Sequence, residues 1–156
     1  MKKTGYFKSP IGYIIYVHEA HKLHQMRIEE DQLDQHMTFE NDDDINTQLE
    51  QYFKGSLTSF NLDIVFESGT DFQRSVWKQL LKIPFGKTKN YQEIAELVGS
   101  PHAMRAVGQA CKKNPIGIVV PCHRVIGKNN QLTGYSGKDY VHLKKKLLDM
   151  EKAFLD

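Results

Sequence analysis

The chain has 156 residues, 40% of them hydrophobic, enough for one ordinary domain or two small ones. No apolar run approaches membrane-spanning length, the opening Met1-Lys2-Lys3-Thr4-Gly5-Tyr6 lacks the apolar stretch of a secretory signal, and two cysteines make no disulfide framework, so a reducing cytoplasm is the expected compartment. The formal net charge of +2 conceals a split: residues 1–69 carry 6 Lys/Arg against 12 Asp/Glu, whereas residues 70–156 carry 15 against 7. A basic second part facing an acidic first part suggests a polyanionic partner, against the plainer alternative of a solvated lysine-rich surface.

The first part reads as strands with one helix. The β-branched and aromatic run Tyr13-Ile14-Ile15-Tyr16-Val17 follows a Ser9-Pro10-Ile11-Gly12 turn, a polar strand is expected over Leu23 to Ile28, and another over Asn61 to Phe66. Asp43 or Asp44 caps a helix reaching about Lys54, with Ile45, Leu49, Tyr52 and Phe53 on one face and Gly55 as the stop. His18, His21 and His24 fall near an expected hairpin turn with no cysteine or carboxylate at ligand spacing, so they read as surface histidines and no metal site is expected. The boundary is placed at Glu67-Ser68-Gly69, giving domains 1–68 and 69–156.

The second part reads as mainly helical. Thr70-x-x-Gln73 is a capping-box pattern opening a helix with Phe72, Val76, Trp77, Leu80 and Leu81 at helical spacing; Pro84-Phe85-Gly86 ends it. Asn90-Tyr91-Gln92-Glu93 opens a shorter helix stopped by Gly99, and Ser100-Pro101 restarts the chain, with serine as N-cap, in a helix running to about Lys112. Ala103, Ala106, Val107 and Ala110 are expected inward on that helix, with Arg105, Gln109 and Lys112 along another face. Helix, tight turn and helix over 91–112 match the dimensions of a helix-turn-helix, and a slim basic second helix suits a DNA groove. A last helix from about Asp139 to Phe154 places Leu143, Leu147 and Leu148 inward and Lys144, Lys145 and Lys146 partly outward.

Between these helices lies the most reactive-looking segment. The aliphatic run Ile116-Gly117-Ile118-Val119-Val120 leads into Pro121-Cys122-His123-Arg124-Val125. A thiol becomes a good nucleophile only on losing its proton, and adjacent basic groups favour that loss. The competing reading is that Cys122 is a small buried hydrophobe, the usual fate of a free cysteine, and Cys111, on the inner side of its helix, reads as inert core.

These segments together resemble the O6-alkylguanine-DNA alkyltransferases. The matching residues are Gly69-Thr70-x-Phe72-Gln73-x-x-Val76-Trp77, Ile83-Pro84-Phe85-Gly86, Tyr91-x-x-Ile94-Ala95, Arg105-Ala106-Val107-Gly108-x-Ala110, Asn114-Pro115 and Pro121-Cys122-His123-Arg124-Val125. Ordered matches cover nearly all of residues 69 to 151, and the first part matches only loosely.

The resemblance implies an α+β protein: a ribonuclease-H-like α/β domain without nuclease activity, then a mainly helical domain with a winged-helix-like helix-turn-helix and a short active-site hairpin. It implies single-turnover transfer of an alkyl group from O6 of guanine, and also O4 of methylthymine, to Cys122, with no cofactor or metal. His123 would remove the thiol proton through a bound water, Glu151 would stabilise the imidazolium, and Asn114 would brace the turn. Tyr91 would donate toward guanine N3. Backbone groups of Cys122 and Val125 would read the exocyclic amine, Tyr135 would form a pocket wall, and Ser136 would approach O6. Arg105 would fill the stack left by the flipped nucleotide, with Ala106, Gln109 and Arg124 also contacting DNA in the minor groove. The protein is expected to be a monomer partnered by double-stranded DNA, with no membrane. Lys138 stands where the family usually has a second glycine, and the segment from Tyr135 to Glu151 is longer than usual. A cysteine hydrolase or redox enzyme would leave the helix-turn-helix unused, and a non-enzymatic DNA-binding regulator would leave the Pro-Cys-His-Arg turn without purpose.

Overall fold

The computed structural model describes residues 1–132 and 141–156. The chain is of mixed α+β type and divides into two compact units, Met1–Glu67 with Pro115–Gly117, and Ser68–Asn114 with Ile118–Asp156. A single break in the chain does not anticipate the exchange of that tripeptide.

In the first unit, β1 (Lys3–Ser9), β2 (Gly12–Glu19) and β3 (Lys22–Glu29) form an antiparallel meander, and the short β4 (Asp63–Ile64) pairs parallel to β3. Two residues of the strand expected over Asn61 to Phe66 therefore join the ladder. The Pro115–Gly117 tripeptide also lies beside β3: Met26 N–H donates to Pro115 O (3.0 Å) and Gly117 N–H donates to Met26 O (2.9 Å). Ile14, Tyr16, Leu23 and Met26 from the sheet and Ile45, Leu49 and Tyr52 from α1 (Asp43–Phe53) are buried. The cap of α1 is Asp42, not Asp43 or Asp44; its carboxylate accepts from Ile45 N–H at 3.0 Å. Tyr16 ties sheet to helix, accepting from Asp42 N–H (2.9 Å) and donating to Asn46 Oδ1 (2.5 Å), and burial pushes its phenol up to about 12.

The histidines depart from the surface reading. Only His21 occupies the hairpin turn, at positive φ; His18 and His24 are buried, bonding Glu40 O at 2.7 Å and Glu67 Oε1 at 2.8 Å. Burial became possible because acceptors arrive from outside the hairpin, the Glu40 backbone carbonyl for His18 and the Glu67 carboxylate for His24. Among the described residues, no group of three His, Cys, Asp or Glu side chains could hold a metal ion.

The second unit contains α2 (Asp71–Leu80), α3 (Tyr91–Leu97), α4 (Met104–Lys112) and α5 (Val141–Leu155). Capping boxes open α2 at Thr70 and α3 at Asn90, because each side chain bonds the N3 backbone while Gln73 or Glu93 reciprocates. The start of α4 differs from expectation. Ser100-Pro101 belongs to a turn closed by Ala103 N–H to Ser100 O (2.9 Å), and the helix begins at Met104 without a side-chain cap. Val107, Ala110 and Cys111 face inward, whereas Ala106 is exposed. Leu81, at the C-cap of α2, is 42% exposed rather than core. Buried Trp77 of α2 donates from Nε1 to Ala110 O of α4 at 2.8 Å, which fixes the indole. Among the described residues, no helix is long and apolar enough to cross a membrane.

Gly69, at φ 104°, precedes α2, and a Cβ there would lie 2.6 Å from the Trp77 ring. Because that ring is hydrogen-bonded and buried, Gly69→Ala should combine backbone strain with overpacking and cost about 2–5 kcal/mol. Gly99→Ala, at φ 78° with open space around the new methyl, should cost only about 1–2 kcal/mol. Urea unfolding of the two variants measures the difference.

Candidate active site

Residues Cys122–Arg124 form a single 3-10 turn running into β6 (Val125–Ile126). That strand pairs parallel with β5 (Lys89–Asn90), matching Lys89 to Val125 and Asn90 to Ile126. The pairing brings Tyr91, first residue of α3, to the side of the cysteine turn. The turn itself is held from within: Cys122 N–H donates to Val120 O (2.8 Å) and Arg124 N–H to Pro121 O (2.9 Å). Asn114, just beyond α4, donates from Nδ2 to Val120 O at 2.8 Å and to Cys122 Sγ at 3.3 Å. One amide thus braces the turn and offers a proton donor to the sulfur.

Cys122, His123 and Arg124 are all buried, as is Glu151 of α5. His123 Nε2 lies 2.7 Å from Glu151 Oε2. Since the acceptor is a carboxylate, Nε2 carries the hydrogen and Nδ1 is the basic nitrogen. Nδ1 is buried and has no hydrogen-bond partner among the described residues. Burial lowers the affinity of His123 for a second proton, and Arg124 and Lys144 act in the same direction; these outweigh the opposing pull of Glu151. The imidazole is therefore neutral at neutral pH. For Glu151, burial alone would favour the protonated acid, but His123 and Arg124 hold it well below the usual carboxylate range.

Arg124 does not reach a surface that DNA could touch. It is 7% exposed, with Nε donating to Glu151 Oε1 (2.9 Å), Nη2 to Glu151 Oε2 (3.0 Å) and Nη1 to Ile83 O (2.7 Å), and its guanidinium lies 5.8 Å from the Phe85 ring centroid. The buried carboxylate draws the guanidinium inward, which corrects its expected place among the DNA contacts. Gly86 N–H, at a positive-φ turn, also donates to Glu151 Oε1 at 2.9 Å.

Lys144 likewise departs from its expected outward position. It is 1% exposed, with Nζ 3.5 Å from the Tyr91 hydroxyl and 5.7 Å from the ring centroid. Burial pulls its ammonium below the usual lysine value, while the two thiols Cys122 and Cys111 act to retain the charge. Helical spacing carried the signal, for Lys144 lies four residues before Leu148 and seven before Glu151 on the buried face of α5. Cys111 is buried and pushed up by that burial, with Cys122 adding to it, as befits an inert thiol.

A cleft of about 710 Å³ opens in this unit between Tyr91, Arg105, Gly108, Gln109, Lys112 and Lys128. Arg105, Gln109 and Lys112 are exposed on one side of α4, and Ala106 is exposed on the same helix. A Cβ on Gly108 would be 3.9 Å from Tyr91, so the glycine leaves the cleft open above the phenol. The structure thus gathers Cys122, His123, Asn114 and Glu151 around one buried turn, with Val125 buried next to it and Tyr91 between turn and cleft. Tyr135, Ser136 and Lys138 lie outside the described residues.

Residues 71–153 match the family described as "6-O-methylguanine DNA methyltransferase, DNA binding domain". The chain belongs to the 6-O-methylguanine DNA methyltransferase family. A methylated-DNA–protein-cysteine methyltransferase of Methanosarcina barkeri is 56% identical over 106 residues, covering 67% of this chain and 65% of that protein, so the matched region spans just under two thirds of that relative. A constitutive protein of the same name from Bacillus subtilis is 41% identical over 93% of this chain and 92% of its own. A solved structure from Mycobacterium tuberculosis, of the family member in complex with DNA, has a TM-score of 0.86 and 42% identity over 97% of this chain and 93% of that one.

The two depressed groups set an acid limit on this methyltransferase-family fold. His123 binds its second proton less readily when folded, so its contribution is complete above about pH 6.5 and is lost as pH falls below that. Glu151, also depressed, contributes above about pH 4.3 and loses that contribution on further acidification. Thermal unfolding should show both stages. Glu151→Gln should shrink the second stage and cost about 3–5 kcal/mol at neutral pH by stranding Arg124.

Proposed function

We propose that the protein repairs DNA by direct, irreversible transfer of an alkyl group, methyl above all, from O6 of guanine in duplex DNA to Cys122. One observation carries this reading: Cys122 Sγ accepts from Asn114 beside a neutral, buried His123 whose Nε2 is committed to Glu151. The thiol proton passes through a water to His123 Nδ1, and the imidazolium so formed is stabilised by Glu151. The thiolate attacks the sp³ carbon in line; the S–C bond forms as the C–O6 bond breaks, and the electron pair stays on guanine. Tyr91 donates toward the leaving base, with Lys144 beside its hydroxyl to stabilise the charge it develops. A thioether is not hydrolysed under these conditions, so each molecule reacts once, and the displacement balances without a metal or organic cofactor. O4-methylthymine presents the same alkyl–oxygen bond and is a second substrate.

Reaching a buried sulfur requires the damaged nucleotide to leave the duplex. α3 and α4 act as the helix-turn-helix of a winged-helix-like domain spanning 69–156, and α4 enters the minor groove. Exposed Arg105, Ala106, Gln109 and Lys112 support this: cations for phosphate, small side chains for close approach, and Arg105 to occupy the vacated stack. The first unit is read as a ribonuclease-H-like α/β domain over 1–68, supported by its antiparallel meander followed by a helix and a short parallel strand. The protein works as a monomer in the cytoplasm, where reducing conditions keep Cys122 a thiol.

Incubation with DNA containing O6-methylguanine should add one methyl group to the peptide holding Cys122, read by mass spectrometry. Cys122→Ser should bind the same DNA without any gain; an unchanged wild-type mass with tight binding would instead indicate a regulator. Arg105→Ala should slow reaction with duplex DNA about tenfold or more while sparing reaction with free O6-benzylguanine, because only the duplex needs flipping. Equal losses on both substrates would contradict a flipping role.

A further inference from the structure

Glu151 is a buried carboxylate shared between two partners that want different things from it. Its Oε2 takes the His123 Nε2 hydrogen at 2.7 Å and the Arg124 Nη2 hydrogen at 3.0 Å; its Oε1 takes Arg124 Nε at 2.9 Å and Gly86 N–H at 2.9 Å. A lone buried carboxylate beside an imidazole would draw a second proton onto the ring and fill the nitrogen needed as base. A bidentate guanidinium offsets that charge before the imidazole does. Arg124 is in turn fixed by Ile83 O at 2.7 Å and by the Phe85 ring, so it cannot swing away from the carboxylate.

Resting on the alkyl-transfer reading above, we propose that Arg124 is a positioning residue that commits Glu151 and so keeps His123 neutral, with Nδ1 open to receive the Cys122 proton. The charged and titratable groups facing His123 are Glu151 and Lys144 from α5, Arg124 from the turn, and the adjoining Cys122 thiol. Two cations against one carboxylate favour a neutral ring at rest. The 2.7 Å contact to Oε2 remains to stabilise the imidazolium once the proton arrives. Burial and the nearby cations lower the proton affinity of the ring in the same sense.

The test compares wild type, Arg124→Gln and Arg124→Lys by two readouts. His123 is titrated by the NMR shift of its ring protons, and the rate of Cys122 alkylation by free O6-benzylguanine is followed against pH. Arg124→Gln should raise the His123 midpoint by about one unit or more and move the acid limb of the rate upward by the same amount. Arg124→Lys keeps the charge but loses the fork, so its midpoint should stay within about half a unit of wild type while its thermal stability falls. If both variants lose stability but His123 titrates as in wild type, Arg124 is merely structural and the proposal is overturned. If Arg124→Gln does not fold, Arg124→Met takes its place as the charge-removing variant: a rise of about one unit or more in the His123 midpoint supports the proposal, and a midpoint as in wild type overturns it. The NMR titration needs no substrate, so it judges Arg124 even where no alkyl group is transferred.

Discussion

A carboxylate removed from water costs several kcal/mol unless donors replace its hydration, and Glu151 is fully buried. Its replacements come from separate parts of one unit: His123 and Arg124 from the 3-10 turn, and Gly86 from the loop that follows α2. Satisfying this one group therefore fixes α5, the cysteine turn and the Ile83–Gly86 loop with respect to one another. The geometry of the cysteine turn follows from that requirement, since anchoring through His123 and Arg124 restricts where it presents Cys122.

Burial creates a second problem, because a thiolate is disfavoured away from water. Asn114 offers a donor to the sulfur at 3.3 Å, and the buried Lys144 ammonium adds a positive charge acting on both thiols. In the proposed function, recognition and chemistry are thereby divided. The side of α4 that carries Arg105, Gln109 and Lys112 is exposed, while the cysteine turn is buried. Tyr91 belongs to both, lining the cleft and bonding Lys144, and β5–β6 pairing places it there.

What could be read from sequence was local. The Thr70/Gln73 and Asn90/Glu93 caps need only residues three apart, and both form as expected. The cap of α1 moved by one residue because three successive aspartates satisfy the same pattern. Ser100-Pro101 carried a start signal that lost to a tighter turn closed on Ser100 O. Burial of charge was not legible, since it depends on partners far along the chain: Arg124 meets Glu151 27 residues away and Ile83 41 away. His18 and His24 went inside for the same reason. Cys122 stands out in the sequence through its basic neighbours His123 and Arg124, and the roles of His123, Asn114 and Glu151 come from the resemblance; the structure adds that Arg124 is bound to Glu151 and that Lys144 is buried beside Tyr91.

The proposed proton transfer from Cys122 depends on which nitrogen of His123 is the base. The direct measurement is the pair of ring ¹⁵N shifts of His123 in the wild-type protein at neutral pH. The prediction is a neutral ring with hydrogen on Nε2, facing Glu151, and an unprotonated Nδ1. A ring protonated on both nitrogens, or carrying its single hydrogen on Nδ1, would contradict it.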